Sequence, residues 1–224
     1  MKISFKTLQI SIVTLGIFIG SAYAGPPMGF KDAAMVMGES SSSTKDWMVN
    51  YSFTPSDALG VGYHLWKGDG KVPGMRVEHS GVSYTRLLKR WNTPGSQANI
   101  WFGVDAGSVT DALNFSGTKL GVMPSVQADW ETTRLYALAF ASTLRMRGGP
   151  QYDTFKAQAG FSFFEAEYDE WQPWLVVEVK HMPGMYVKPE VTPFLRVISN
   201  SLYIELGANL QGKPRVGLMK VIHF

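Results

Sequence analysis

Hydrophobic and polar residues alternate with a period of two along most of this chain. From position 47 to 53, for example, Trp, Val, Tyr and Phe occupy the odd positions, while Met, Asn and Ser occupy the even ones. The same alternation recurs at 153–165 and 201–210. A period of two is typical of β-strands whose two faces meet different surroundings. No amphipathic helical pattern of convincing length interrupts it, so the sequence predicts an all-β protein.

Twelve strands are predicted in this way. The first is the weakest, and the register of the fourth is ambiguous because Glu78 and Arg86 share a face with Val82 and Tyr84. The predicted strands are 31–38, 45–54, 57–66, 76–90, 96–107, 121–130, 133–145, 153–165, 171–181, 190–198, 201–210 and 215–224.

The predicted connections alternate between long and short along the chain. The long ones are 39–44, 67–75, 108–120, 146–152, 182–189 and 211–214, and the short ones are 55–56, 91–95, 131–132, 166–170 and 199–200. A soluble sandwich has no reason to show this parity, whereas bacterial outer-membrane barrels have an even strand number, tight periplasmic turns and longer outer loops. The pattern therefore predicts a single transmembrane antiparallel up-and-down β-barrel of twelve strands with both termini periplasmic.

The first 24 residues are predicted to be a cleaved signal peptide. Lys2 and Lys6 precede an apolar stretch at 8–19, and small residues end the segment at Ala24. These are the features that export and signal peptidase require. The alternative, an uncleaved anchor, would need about 20 apolar residues. We expect cleavage after Ala24, which leaves an outer-membrane β-barrel domain at 25–224.

Composition narrows the class further. A chain that is 45% hydrophobic and 17% charged is not disordered, and its mean hydropathy of -0.03 is too low for a bundle of membrane helices. Of 21 basic residues against 18 acidic ones, the leader carries Lys2 and Lys6, which leaves 19 against 18. This balance gives no reason to expect a nucleic-acid partner. With no Cys, an exported protein must be stabilised by burial or by a bilayer.

Aromatic residues occur where the predicted strands end. Trp and Tyr rings settle at the headgroup boundary of a bilayer, so aromatic girdles are expected at both ends of a membrane barrel. The predicted periplasmic girdle consists of Phe53, Trp91, Trp130, Phe163, Trp171 and Phe224, and the opposite belt of Trp47, Trp66, Tyr152 and Tyr186.

The last strand alternates through Val216, Leu218 and Ile222 to a final Phe224. This resembles the C-terminal assembly signal of Gram-negative outer-membrane β-barrel proteins, whose last strand closes with an aromatic residue. The resemblance implies an integral location in the outer membrane, contact with its lipids and recognition of the last strand by the outer-membrane assembly machinery. Lys220 departs from the pattern because it falls on the apolar face, and we expect either its side chain to reach toward the membrane boundary or the strand to shift locally.

Polar residues on the other face of the strands are candidates for lining the lumen. A lining of one charge sign selects an oppositely charged solute, whereas this mixed lining favours ion pairs that narrow or close the barrel. The 108–120 connection, the longest one predicted, could also fold inward and constrict it. The lumen candidates are Asn99, Asp105, Gln127, Asp129, Lys156, Gln158, Glu178, Arg196 and Glu205.

The sequence contains no convincing catalytic constellation and no cofactor motif. A lipid hydrolase needs Ser and His side chains within hydrogen-bond reach, but His79 and Ser80 are adjacent and point to opposite faces of a strand. His181, Met182 and Met185 form a weak candidate site for soft copper. Eleven Met residues in the chain make such a grouping easy to obtain by chance.

Two functions of different classes remain, and an enzyme is third. The favoured one is a porin-like passive channel for small polar solutes. The alternative is a closed barrel that acts as a surface, assembly or structural component through its outer loops, and the third is an outer-membrane lipid hydrolase. Eight-stranded barrels are filled by side chains and sixteen-stranded ones are open. Twelve strands lie between these cases, so the inward side chains decide.

Overall fold

The computed structural model describes residues 27–70, 72–167 and 170–224. Its strands are β1 (Ala33–Ser41), β2 (Thr44–Ser52), β3 (Asp57–Trp66), β4 (Val77–Thr93), β5 (Ser96–Asp111), β6 (Lys119–Thr132), β7 (Leu135–Met146), β8 (Tyr152–Ser162), β9 (Gln172–His181), β10 (Glu190–Ser199), β11 (Leu202–Ala208) and β12 (Pro214–His223). Within this described part of the chain, no helix is long and apolar enough to cross a membrane.

The twelve strands form one closed barrel in which every strand pairs antiparallel with its neighbours in sequence. The ring is closed by β1 and β12, which pair from Ala33 with His223 to Ser41 with Arg215. Closure leaves no strand edge with unpaired backbone groups. The predicted fold class, a twelve-stranded antiparallel up-and-down β-barrel, is confirmed.

Alternation along each strand separates an apolar exterior from a polar interior. In β8, Phe155 and Phe161 are exposed on the outside, whereas Gln158 and Ser162 are buried on the inside. In β9, Leu175, Val177 and Val179 face outward and alternate with buried residues. Successive side chains of a strand point to opposite faces, so this pattern places an apolar surface around the barrel.

The two ends of the barrel are distinguished here by the chain termini. The terminal end contains Ala33 and His223, and the loop end contains Ser41 and Pro214. The predicted parity of the connections is only partly correct. At the loop end, the first connection contains two residues instead of six, because the hydroxyl of Ser41 accepts hydrogen bonds from the backbone N–H groups of Ser43 and Thr44 (3.3 and 3.1 Å) and holds a tight turn.

Two further connections differ from the prediction. The short connection expected at 166–170 is a nine-residue segment, because β8 ends at Ser162 and Phe163 lies outside it. The Ser162 hydroxyl donates to the backbone oxygens of Phe164 (2.7 Å) and Pro173 (3.2 Å) and so fixes the start of this segment. The connection predicted at 108–120 shrinks to seven residues because β5 and β6 extend further, so it is not the longest.

The fourth strand has a β-bulge, which lies beyond the residues that made its register ambiguous. Leu87 pairs with Trp101 and Lys89 pairs with Ile100, so one residue of β4 lacks an opposite partner. A bulge shifts the alternation by one residue beyond it. Before the bulge, Glu78 and Arg86 do share the outer face with Val82 and Tyr84, and each has an ion partner there, Arg76 for Glu78 and Asp57 for Arg86.

Apolar cores fill both ends of the lumen. The terminal cluster consists of Ala33, Met35, Tyr136, Trp174, Val176, Phe194, Ile198, Tyr203, Met219 and Val221. The loop-end cluster consists of Trp66, Val77, Val109, Met123, Leu144, Met146, Tyr152, Met182, Met185 and Tyr186. Between these two clusters lie the charged side chains of the interior.

The exterior aromatic residues concentrate at the terminal end. Phe53, Trp91, Trp130, Phe163, Trp171 and Phe224 are all exposed there. The predicted opposite belt is wrong for Trp66, Tyr152 and Tyr186, which are buried inside the lumen, and only Trp47 is exposed. Lys220 is exposed and pairs with the first residue of β11, so it lies close to the terminal rim.

Candidate functional site

One side of the lumen contains a network of seven charged residues. Glu39 is at its centre: its carboxylate lies 3.1 Å from Arg215 Nη2 and 3.5 Å from both Lys156 Nζ and Lys180 Nζ. Four cations from β8, β9, β10 and β12 meet three acids from β1, β9 and β11. If all are ionised, this packed network carries one surplus positive charge. Its members are Glu39, Lys156, Glu178, Lys180, Arg196, Glu205 and Arg215.

The two arginines of the packed network are held from several directions. Arg196 Nη2 lies 2.7 Å from Glu205 Oε1, and Arg215 Nη1 lies 2.9 Å from Glu205 Oε2. The Arg215 guanidinium also lies 4.1 Å from the ring centre of Phe194, and that of Arg196 lies 4.9 Å from the ring centre of Tyr136. Both arginine side chains are only 4% exposed, so this side of the lumen is filled.

The opposite side of the lumen carries a smaller polar group. Asp46 Oδ1 lies 3.0 Å from His64 Nδ1. The imidazole ring of His64 stacks against the imidazole ring of His79 and against the indole ring of Trp66, with ring centres 5.9 Å apart in each pair. Asp105 projects beside them from β5. Its buried Oδ1 has no hydrogen-bond partner within the described ranges.

Small residues keep this side open. Inward positions of β3, β4 and β5 are repeatedly glycine, at Gly60, Gly62, Gly81, Gly103 and Gly107. At Gly62 a Cβ would lie 3.1 Å from both Asp105 Oδ1 and His64 Nε2, so only glycine leaves the gap between them. A cavity of about 250 Å³ lies inside the barrel, and of these five glycines Gly103 lines it.

We call this cavity the chamber. Its wall includes both charged groups, because His64 and Asp105 face it from one side and Lys156 from the other. Apolar side chains complete the lining between them, and Pro27, which precedes β1, bounds it toward the terminal end. Residues that line the chamber include Pro27, Met37, Glu39, Asp46, His64, Trp101, Gly103, Asp105, Met123, Ser125, Gln127, Leu138, Phe140, Lys156, Met182 and Arg215.

A third polar group lies nearer the terminal end. The Asp129 carboxylate accepts hydrogen bonds from Asn99 Nδ2 (2.6 Å), Trp101 Nε1 (2.7 Å) and Gln127 Nε2 (3.1 Å). Arg90 Nε in turn donates to Asn99 Oδ1 (2.7 Å). Because each polar atom has a partner close by, this group braces β4, β5 and β6 rather than offering a free carboxylate.

The nine lumen candidates of the sequence all occupy inward positions, but in different groups. Lys156, Glu178, Arg196 and Glu205 belong to the packed network, and the Gln158 amide donates to Glu178 Oε2 (2.6 Å) beside it. Asn99, Gln127 and Asp129 form the bracing group, and Asp105 stands apart at the chamber.

Some residues of the site were missed by the sequence analysis. Glu39 was assigned to an outer loop, although β1 runs on to Ser41 and turns the carboxylate inward. Asp46 lies on the same face of β2 as Met48 and Asn50, because the three positions have the same parity. This parity was the signal that could have placed Asp46 inside. The packing of residues before β1 into the lumen has no sequence signal of this kind.

The segment before β1 obstructs the terminal end of the lumen. Met28 is 2% exposed and packs against Ala58 and Trp101 on the inner wall. Asn50 Nδ2 donates to the backbone oxygen of Pro27 (2.8 Å), and the Ser52 hydroxyl donates to that of Gly29 (3.2 Å). Inward polar groups of β2 therefore hold this segment inside the barrel.

The connection at 182–189 obstructs the loop end. Met182 and Met185 are buried in the loop-end cluster, and the Tyr186 hydroxyl donates to Ser43 Oγ (2.8 Å). Burial raises the pKa of Tyr186 to about 12, so the phenol remains a neutral donor at physiological pH. This connection thus folds over the opening instead of extending into solvent.

The structure does not bring the three residues of the copper candidate together. Met182 and Met185 pack inside the barrel, whereas His181 alternates to the outer face of β9 opposite the exposed Phe155. No cluster of three or more His, Cys, Asp or Glu side chains suited to a metal ion occurs among the residues described. His79 is buried inside, with Nδ1 3.3 Å from the backbone oxygen of Ser108, and Ser80 is exposed outside.

Comparison with solved structures finds barrels of the outer membrane. The KdgM porin is 11% identical with a TM-score of 0.48, and the KdgM porin in complex with disordered oligogalacturonate is 10% identical with a TM-score of 0.49; each match covers 86% of this chain and 99% of the other. OmpT of Vibrio cholerae, an outer membrane protein, as a loop L8 deletion mutant, is 9% identical with a TM-score of 0.32, over 84% of this chain and 97% of the other. No protein-family model and no curated protein sequence matches the chain.

Proposed function

We propose that this protein is an integral outer-membrane β-barrel that conducts small polar solutes through the chamber, with both termini on the periplasmic side. The exposed apolar residues of the strands and the aromatic girdle at the terminal end support a lipid-facing exterior. The last strand, followed directly by the exposed Phe224, is the proposed recognition element for the assembly machinery.

The chamber is the observation that carries the channel function. A barrel filled on all sides would leave no cavity, whereas a cavity of about 250 Å³ lies between the packed network and the glycine-rich wall. Its volume is below the 300 to 1,000 Å³ typical of small-molecule pockets. Solutes would therefore pass singly, and large ones would be excluded.

Obstruction at both ends gives the channel a low conductance. A solute must pass Met28 at the terminal end and Met182 and Met185 at the loop end. We expect small, stepwise currents in planar bilayers. Replacing Met182 and Met185 together with Ala removes side-chain volume from the loop end and is expected to raise the current several-fold.

The matched control replaces the same two methionines with Leu, which keeps the volume and leaves the conductance near that of the unmodified protein. Correctly folded protein without any current, both before and after the Ala substitutions, would contradict the channel function. That result would instead support the second candidate, a closed barrel that acts through its outer loops. The packed network, whose buried arginines seal half of the lumen, is the observation that favours this candidate.

A further inference from the structure

The walls of the chamber carry opposite charge. The packed network has four cations for three acids, and Lys156, whose side chain is 22% exposed against 4% for each of the other three, is the cation most accessible from the chamber. Among the residues that line the chamber, the facing wall has two carboxylates, Asp46 and Asp105, and the imidazole of His64 to balance them; His79, stacked behind His64, does not line the chamber. Whether that imidazole is neutral or protonated, the acids on this wall outnumber the cations.

Of the two carboxylates on this wall, Asp105 is the one with an oxygen that lacks a hydrogen-bond partner among the described residues. Its Oδ1 is buried without a hydrogen bond from any described residue, although Asp46 is bound to His64 and Asp129 accepts three hydrogen bonds. A buried carboxylate atom without a partner is unfavourable unless something else supplies the donor. Gly62 leaves the space beside Asp105 open, since a side chain there would contact Oδ1.

From this polarity we infer that the chamber binds a small zwitterion, with its ammonium group at Asp105 and its carboxylate group toward Lys156. A simple cation would leave the positive wall unpaired, and a simple anion would leave Asp105 without a donor. Apolar side chains between the two walls, such as Leu138 and Phe140, would contact the hydrocarbon part of the ligand. The inference deepens the proposed channel function, because it assigns the class of solute.

The test uses the full-length mature protein folded in detergent micelles and isothermal titration calorimetry. The probes are ω-amino acids of increasing length: glycine, β-alanine, γ-aminobutyrate and 6-aminohexanoate. Butylamine and butyrate each carry one of the two charges of γ-aminobutyrate and serve as ligand controls. We expect saturable binding of at least one ω-amino acid, at least tenfold tighter than that of either control, with a chain-length optimum that reports the separation of the two walls.

Two variants locate the binding site. Asp105→Asn removes the anionic anchor and is expected to weaken binding at least tenfold. Gly62→Ala places a methyl group beside Asp105 Oδ1 and His64 Nε2 and is expected to weaken binding while keeping both charges. Asp153→Asn is the matched control, because its carboxylate accepts a hydrogen bond from Gln151 at an exposed site and leaves the chamber unchanged. Heat-dependent gel mobility verifies that each variant is folded.

Equal binding by the protein and by folded Asp105→Asn would overturn the assignment, and so would butylamine binding as tightly as the best ω-amino acid. An absence of saturable binding to the folded protein would overturn it as well. Current in bilayers without ω-amino acid binding would leave the channel function standing and remove the inference. Binding without current would support the zwitterion site and contradict the channel.

Discussion

The two sides of the lumen differ in how completely they are filled. The packed side, formed by the inner faces of β8 to β12 and β1, buries Trp174, Phe194 and Arg196 almost entirely. The chamber side, formed by β2 to β7, leaves inward residues such as Ser125 and Gln127 partly accessible. Both sides belong to one continuous hydrogen-bonded ring, so the difference lies in the side chains and not in the backbone.

This comparison shows that side-chain volume, rather than strand number, decides whether a barrel of this size is open. Inward positions on the packed side carry Trp, Phe, Tyr and Arg, and on β3 to β5 they carry five glycines. Twelve strands enclose enough space for either outcome. This barrel combines both outcomes, because one side of its lumen is filled and the other side is partly open.

The largest expected effect comes from breaking the packed network at its centre. Glu39→Ala leaves Lys156, Lys180 and Arg215 without their shared carboxylate. Removing one partner of a buried ion pair typically costs about 3 to 5 kcal/mol. We expect a loss of that size in the free energy of unfolding by urea, followed by gel mobility.

Glu165→Ala is the control for this substitution, because its carboxylate accepts a hydrogen bond from the Thr133 hydroxyl at an exposed site. The expected change is below about 0.5 kcal/mol. If Glu39→Ala proved as mild as Glu165→Ala, the packed side would be a solvated surface rather than a buried core.

A second substitution measures the packing of the apolar core beside that network. Met219 is 4% exposed in the terminal cluster, and Met219→Ala leaves a cavity there. Such truncations cost about 2 to 5 kcal/mol, while Met219→Leu keeps the volume and costs less than about 1.5 kcal/mol. Urea unfolding compares the two, and equal values for Ala and Leu would mean that this side is loosely filled.

The smallest effect on stability is expected on the chamber side. Ser125 faces the chamber from β6, so Ser125→Leu adds apolar volume to open space and changes the free energy of unfolding by less than about 1 kcal/mol. The same substitution narrows the passage, and the single-channel current should fall several-fold. Val126→Leu on the exposed outer face of the same strand is the control, and its current should be unchanged. A current equal in both variants would place the conducting path elsewhere.

Strand positions were predictable from the sequence because each strand has one apolar face and one polar face. The period of two placed most strand ends within a few residues of those observed, for example 57–66 and 190–198. The register of β4 was ambiguous because the charges of Glu78 and Arg86 lie on its outer face, and the bulge after Leu87 had no signal in the alternation. The prediction of a belt that contains Trp66 was wrong because Trp and Tyr are found both inside this barrel and in membrane girdles, so residue type alone does not distinguish the two places.

The interior of the site was less predictable than the fold. Parity alone identified Lys156 and Arg196 as inward, but pairing across the ring depends on strand tilt and register, which no local pattern encodes. Glu39 lies 117 residues from its partner Lys156. The packing of Met28 and Met185 into the lumen depends on segments outside the strands, where periodicity gives no information.

The central claim is that one side of the lumen admits solvent and the other does not, and cysteine labelling tests it most directly. The natural chain has no Cys, so Ser125→Cys and Val176→Cys each introduce one thiol of nearly native size, on the chamber side and the packed side respectively. With a small, charged thiol reagent, the folded Ser125→Cys variant should be labelled rapidly, and Val176→Cys, whose parent residue is 0% exposed, only after unfolding. Equal labelling of the two folded variants would contradict the account.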